Sequence, residues 1–244
     1  MQVIIPVAGY ATRLYPLTKD KPKALLEVRG KPILEHLVRK IEELRNVSGI
    51  FIVSNAKFYS HFKQCVQGFS STVPIKVLND GTTSNENRKG QVGDIQFVIE
   101  QEKIDDDLLV VAGDNLFNFS LVPARDFFKR KKAIVNGLWD SKSLEVAKQQ
   151  GVAAIDDSKK VVLFQEKEKN PKSTLISLGI YFFPRNKVKL FKRFIEEGND
   201  PDKMGYFVIW LIENGVVYGH VYYKKWFDIG WPSALKKARK EFVP

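Results

Sequence analysis

Apolar positions along this chain come in short blocks that alternate between two spacings. Val3-Ile4-Ile5, Gly49 to Val53, Val73 to Leu78 and Leu108 to Ala112 are brief runs rich in β-branched residues, the mark of strands buried on both faces. Between them the apolar spacing lengthens to three and four. Pro32 to Arg45 carries Ile33, Leu34, Leu37, Val38, Ile41 and Leu44 as one stripe, and further helices are predicted over 57–69 and from Gly90 to about Lys103. Strand, helix, strand in this order predicts a parallel sheet covered by helices on both faces. After a helix at 121–132 and a strand at 133–139 the rhythm changes. Gly151 to Ile155 and Val161 to Phe164 are joined only by the turn Asp156-Asp157-Ser158, which makes a hairpin rather than a crossover. A strand at 177–182, helices at 184–196 and 202–214, a strand at 216–223 and a closing helix at 232–242 complete the pattern.

The segments that break both spacings carry the candidate chemistry. Val7 to Leu26 follows the first strand and cannot form a regular helix, because Pro16 and Pro22 interrupt it. Gly9 permits close approach of the backbone to a ligand. Arg13, Lys19, Lys21 and Lys23 stand there with one acid, Asp20. Free backbone N–H groups beside cations suit a polyphosphate, although a solvated turn has the same composition. Asp114 follows the apolar run 108–112, at the carboxyl tip of a parallel strand, where α/β sheets bind ligands; an aspartate there also serves as a plain turn residue. Asn79 to Arg88 is a polar loop leading into the helix that Gly90 opens, with Ser84 or Asn87 as candidate caps.

Composition narrows the class. At 244 residues, 44% hydrophobic and 27% charged, the chain is long enough for one large α/β domain with a full core. No apolar run approaches the roughly 20 residues that span a bilayer, and no signal-like segment opens the chain. A lone cysteine, Cys65, excludes an internal disulfide, and a cytoplasmic protein is the expectation. The net charge of +11 would attract polyanions, but the lysines are dispersed and no nucleic-acid motif is present. Nucleic acid is therefore disfavoured as a partner, and phosphorylated small molecules are favoured.

The order of residues in the first loop goes further than its composition. Gly9, Thr12, Arg13, Leu14, Pro16 and Thr18, then Pro22, Lys23, Leu25, Gly30, Lys31 and Pro32, resemble the signature of the sugar-1-phosphate nucleotidyltransferases, the nucleoside-diphosphate-sugar pyrophosphorylases. Tyr10 and Ala11 replace glycines usual in that loop. Four later segments resemble the family too: Gly113-Asp114-Asn115, Gly151 with Gln150 in place of an aromatic, Phe164-Gln165-Glu166-Lys167, and Ser177 to Phe182 around Gly179. A last one, Trp226-Phe227-Asp228-Ile229-Gly230-Trp231-Pro232, has Trp231 where the family has threonine.

The resemblance implies a Rossmann-like mixed, mainly parallel α/β sheet flanked by helices, with a small antiparallel sugar-binding lobe. A single domain, 1–244, would comprise a nucleotide-binding part at about 1–135 and a sugar-binding part at about 136–230. It assigns Ala8, Gly9, Thr12, Asn79 and Gly90 to the nucleotide. Gly151, Glu166, Lys167 and Gly179 go to the sugar phosphate, Asp114 and Asp228 to Mg²⁺, and Arg13 and Lys23 to catalysis. Asp94 departs from the family's alanine after Gly90.

The implied reaction joins an NTP, with dTTP or UTP favoured, to a sugar-1-phosphate such as glucose-1-phosphate, releasing pyrophosphate. Two other readings compete. One is a CTP-dependent cytidylyltransferase for phosphocholine or another phosphorylated alcohol, with Trp226 and Trp231 available for a cationic headgroup. The other is a non-catalytic nucleotide- or nucleic-acid-binding protein. Monomer and homodimer are both open, and His36, His61 and His220 are expected to be structural.

Overall fold

A computed structural model describes residues 1–244. The first half alternates as its apolar spacing predicts. Strand β1 (Gln2–Pro6) runs into the cationic loop, where Pro16 and Pro22 leave only two short 3₁₀ turns, at Thr12–Leu14 and Lys23–Leu25. A two-residue hairpin follows, β2 (Glu27–Val28) and β3 (Lys31–Pro32), then helix α1 (Ile33–Glu42). Next come β4 (Gly49–Ser54), α2 (Tyr59–Gln67), β5 (Ile75–Asn79), α3 (Gly90–Gln101), β6 (Leu108–Val111) and β7 (Asn115–Phe117). The second half holds α4 (Val122–Lys131), β8 (Ile134–Asp140), a short α5 (Leu144–Ala147), β9 (Gly151–Ile155), β10 (Val161–Glu166) and β11 (Leu175–Phe183). It ends with α6 (Leu190–Glu196), α7 (Met204–Glu213), β12 (Val217–Tyr222), β13 (Trp226–Asp228) and α8 (Pro232–Glu241).

One nine-stranded mixed sheet runs through the molecule, in the order β10-β9-β11-β6-β1-β4-β5, with β8 between β11 and β12. Strands β1, β4, β5 and β6 are parallel, and β11 lies antiparallel to β6. The predicted hairpin β9–β10 extends this sheet by pairing β9 to β11 at Val152–Ile176, so the antiparallel part is continuous with the parallel one.

Alternate residues of each buried strand serve opposite faces. Val3, Ile5, Ile50 and Ile52 join one apolar cluster, while Ile4, Val53, Leu108 and Val110 join the other. With both faces covered, neither can be polar, and this is why the strands read as unbroken apolar runs. A third cluster gathers Leu14, Leu26, Val28, Ile33, Leu116, Phe227, Ile229, Leu235, Ala238 and Phe242. It packs α8 and the 226–229 segment under the cationic loop, and so fixes the floor of the site. No helix is long and apolar enough to cross a membrane.

Candidate active site

The carboxyl end of β1 opens into a loop held from both sides. Asn55 is fully buried; its Nδ2 donates to Ala8 O at 2.7 Å and its Oδ1 accepts from Phe58 N at 3.0 Å. Thr18, also fully buried, donates from Oγ1 to Ala11 O at 2.8 Å, pulling the loop back on itself around a left-handed Ala11 (φ 49°). The backbone N–H groups from Ala8 to Arg13 donate to no acceptor within the chain. Consecutive free amides in a tight curve form a concave anion-binding surface.

This loop forms one wall of a cleft of about 490 Å³, continuous with a second pocket of about 290 Å³. Ala8, Gly9, Thr12, Arg13, Lys23, Gly90, Asp114, Lys167 and Asp228 line the first. Gly151, Glu166 and Gly179 line the second, where Asp114, Lys167 and Asp228 also appear. Twelve of the thirteen residues singled out from sequence thus meet in two connected pockets. The exception is Asn79. It sits exposed at the end of β5, its Oδ1 accepts from Gly81 N at 2.9 Å, and it borders neither pocket. The turn at Gly81 points it away; Tyr10, Asn85, Arg88 and Gln91 form that part of the wall instead.

Two aspartates far apart in sequence are brought side by side by a ribbon that the apolar spacing does not announce. Strand β13 pairs antiparallel with β7, setting Asp228 opposite Asn115, the neighbour of Asp114. Asn115 ties the ribbon to the sheet rather than merely shaping a turn. It is 4% exposed, its Nδ2 donates to Leu178 O at 2.6 Å, and its Oδ1 accepts from Trp226 Nε1 at 2.6 Å.

Each carboxylate has a partner. Lys23 Nζ lies 2.5 Å from Asp114 Oδ2; burial would raise the Asp114 pKa, but the lysine's charge and hydrogen bond hold it below the usual range. Gln150, standing where the family has an aromatic, donates from Nε2 to Asp228 Oδ2 at 2.8 Å.

Strand β10 ends at Glu166, and Lys167 turns left-handed immediately after it (φ 53°), its N–H reaching Gln150 O at 3.0 Å. Successive strand residues face opposite sides, and this turn at the strand end lets both side chains reach the pockets. Burial pushes the Glu166 carboxyl up, against the opposing charges of Lys167 and Lys203. Room for Glu166 comes from Gly151, where a Cβ would sit 2.9 Å from Oε2, and from Gly205 at the start of α7, where a Cβ would overlap the carboxylate outright. Gly205 carries no signal in the sequence, since helices tolerate an isolated glycine for many reasons. Gly179 lies where β11 breaks register with β8; its φ of +67° and a would-be Cβ 2.9 Å from Ala112 Cβ leave glycine as the fitting residue.

Neither Ser84 nor Asn87 caps helix α3. Asn87 Oδ1 accepts from Thr83 N and Ser84 N, while Gln91 N and Val92 N donate to the carbonyls of Asp202 and Pro201 at 3.1 and 2.9 Å. Those amides are consumed by protein, so anion binding falls to the Ala8–Arg13 loop. Gly90 (φ +78°) is packed against the same 201–202 turn, where a Cβ would meet Pro201 O at 2.6 Å. Arg88 clamps that turn from the other side through Asp202, at 2.7 and 3.0 Å. Trp231, 54% exposed, stands with its ring centroid 5.6 Å from the Arg13 guanidinium. It lines the first pocket and not the second. The three histidines border neither pocket; His36 is buried against Val28 O at 2.8 Å.

Comparison with known proteins follows this geometry. A family model described as nucleotidyl transferase matches residues 2–243. The chain is 32% identical over 246 residues to the bifunctional protein GlmU of Methanocaldococcus jannaschii, covering 98% of this chain and 54% of that protein. It is 30% identical over 185 residues to the UTP–glucose-1-phosphate uridylyltransferase AglF of Haloferax volcanii, covering 75% of this chain and 72% of that one. The chain therefore spans about half the length of the first of these relatives. A crystal structure of a UDP-glucose pyrophosphorylase complexed with UDP-glucose superposes with a TM-score of 0.82 at 16% identity, covering 98% of this chain and 97% of that one.

Proposed function

This chain belongs to the sugar-1-phosphate nucleotidyltransferases of the nucleotidyl transferase family, and we propose that it transfers a nucleotidyl group from dTTP or UTP to glucose-1-phosphate, releasing pyrophosphate. The observation that carries this reading is the convergence of Arg13, Lys23, Lys167, Asp114 and Asp228 on one cleft at the carboxyl edge of the sheet. Resemblance to a relative named for UTP and glucose-1-phosphate supports the choice of substrates.

Both reactants are anions, so the protein's contribution is alignment and neutralisation of charge, with no covalent intermediate. The free amides from Ala8 to Arg13 would cradle the triphosphate, and Arg13, held over Trp231, would stabilise the departing pyrophosphate. Lys23 would hold the α-phosphate, and Lys167 the phosphate of the incoming sugar. Glu166 and the backbone at Gly151 and Gly179 would receive the sugar hydroxyls and ring in the smaller pocket.

The donor set fits magnesium. Asp114 and Asp228 give two carboxylates on one ribbon facing one cleft, and no cluster of three or more His, Cys, Asp or Glu side chains competes. Mg²⁺ takes one or two carboxylates and completes its shell with substrate phosphate oxygens and water. When bound, the ion would supply charge screening between the two phosphates. The phosphocholine reading has no cage of its own here, because Trp231 is engaged by Arg13 and does not border the smaller pocket. The same substrates would place the enzyme in the cytoplasm.

Pyrophosphate release from a panel of NTPs against sugar-1-phosphates, with Mg²⁺ and with chelator, tests the proposal. Turnover should be greatest with UTP or dTTP plus glucose-1-phosphate and should vanish on chelation. Turnover only with CTP and a phosphorylated alcohol, or none with any pair, would overturn it.

A further inference from the structure

The two ends of the larger pocket differ in charge. Arg13, Lys23 and Lys167 belong to the phosphate end, but a carboxyl stands in the wall where Gly90 opens α3. That group is Asp94, 6% exposed and with no hydrogen-bond partner for Oδ1. Burial, with the charge and hydrogen bond of neighbouring Asp80, raises its pKa to about 8, so it holds a proton at neutral pH. Asp80 is itself buried and accepts from Thr82 N and Thr82 Oγ1, both at 2.7 Å. With its oxygens thus supplied with donors, Asp80 is the one that stays ionised, and the shared proton belongs to Asp94. The hydroxyl of Tyr10, a residue 9% exposed on the same wall, also lacks a partner. Buried polar groups are nearly always bonded, so two orphans on the wall of one pocket mark a place that a ligand completes.

A triphosphate is repelled by a carboxyl pair, so the neutral part of the nucleotide belongs there. We propose that Asp94 is a specificity-determining residue that accepts the ring N–H of a base whose neighbouring carbon carries a carbonyl, as in uracil, thymine and guanine. It would reject cytosine and adenine, which present a bare ring nitrogen at that edge. The proton of Asp94 is donated to Asp80, which leaves Oδ1 as an acceptor only. Against cytosine or adenine two lone pairs would face each other, a repulsive element of the kind that gives real selectivity. Tyr10 is placed to donate to the adjacent carbonyl. An alanine at this position, the residue Asp94 replaces in the family pattern, could do none of this.

This inference rests on the nucleotidyltransferase reading, so the test measures binding without turnover. UTP and CTP are titrated calorimetrically into wild-type protein and into the Asp94→Ala, Asp94→Asn and Tyr10→Phe variants, with circular dichroism confirming the fold. Wild type should bind UTP at least tenfold more tightly than CTP. Asp94→Ala should cut that ratio at least tenfold. Asp94→Asn should keep it within about threefold, since its amide can donate to Asp80 and present the same carbonyl acceptor. Tyr10→Phe should weaken UTP several-fold and leave CTP unchanged.

A ratio unmoved in Asp94→Ala, a ratio lost in Asp94→Asn, or a wild-type preference for CTP would each overturn the assignment. If the Asp94 variants do not fold, an unmoved UTP affinity in Tyr10→Phe overturns it. Failure to bind any triphosphate would instead remove the nucleotidyltransferase reading, and the base subsite with it.

Discussion

Replacing Asn115 by alanine should uncouple the metal-facing ribbon from the sheet. The side chain makes two short hydrogen bonds, to Leu178 O and from Trp226 Nε1, both at 2.6 Å and both near the protein interior. Truncation leaves a buried carbonyl and an indole N–H without partners, and each such orphan costs about 1–3 kcal/mol. Trp226 is only partly buried, so its N–H can recover some of the loss from water. A net destabilisation of about 2–4 kcal/mol follows, or about 5–15 °C in Tm for a chain of this length.

Catalysis should fall further than stability explains. Asp228 lies two residues from Trp226 on a three-residue strand, and a misplacement of about 1 Å can cost roughly 10² in rate. The expected signature is a kcat reduced at least tenfold with KM for nucleotide little changed, because the cations of the first loop are untouched. Urea unfolding and steady-state kinetics of Asn115→Ala, Trp226→Phe and the double variant complete a cycle, in which a coupling of about 1–2 kcal/mol is expected. Additive variants, or a cost for Asn115→Ala below about 0.5 kcal/mol, would refute the idea that this pair of bonds positions the ribbon.

Other substitutions test the rest of the site. Arg13→Ala and Lys23→Ala should each lower kcat by about 10²–10³ in folded protein, measured by pyrophosphate release; near-normal turnover would remove them from the chemistry. Gln150→Ala frees one oxygen of Asp228 and should raise the Mg²⁺ concentration needed for half-maximal rate several-fold, seen by magnesium titration. Gly205→Ala forces Glu166 to move, so KM for the sugar phosphate should rise at least tenfold while nucleotide binding holds.

Asp94 makes a prediction about pH. Its folded-state pKa, about 8, lies above that of an unfolded aspartate, so between roughly pH 4 and 8 the native state binds the extra proton. Wild type should therefore lose stability relative to Asp94→Asn as pH rises through that window, by up to about 1.4 kcal/mol per pH unit, and the difference should level off above pH 8. Parallel stability curves for the two proteins would show that Asp94 is ionised in the fold.

Much of this architecture can be read from periodicity because the strands are buried on both sides, as the split of Val3 and Ile5 from Ile4 into opposite clusters shows. Helix α3 begins at Gly90 as expected, since the polar loop before it ends abruptly. The ribbon β7–β13 is a different matter. Three residues a side are too few for any alternation to register, and the pairing spans more than a hundred residues of chain. Lys167 follows the general rule that a strand end lets two neighbours face one pocket, which the Glu-Lys order alone leaves open. Gln150 and Gly205 became legible only as neighbours of Asp228 and Glu166. Asn79 was placed by its proximity in sequence to the helix start, but the turn at Gly81 caps it locally.

The ribbon has a consequence for how the protein fails on heating. Asp114 follows a central strand of the nine-stranded sheet, whereas Asp228 is held by three paired residues and by Trp226. Fraying of so small a unit requires far less free energy than global melting. Activity should therefore disappear below the temperature at which circular dichroism reports unfolding and return on cooling, with the amides of 226–228 exchanging with deuterium well ahead of those in β1 and β6.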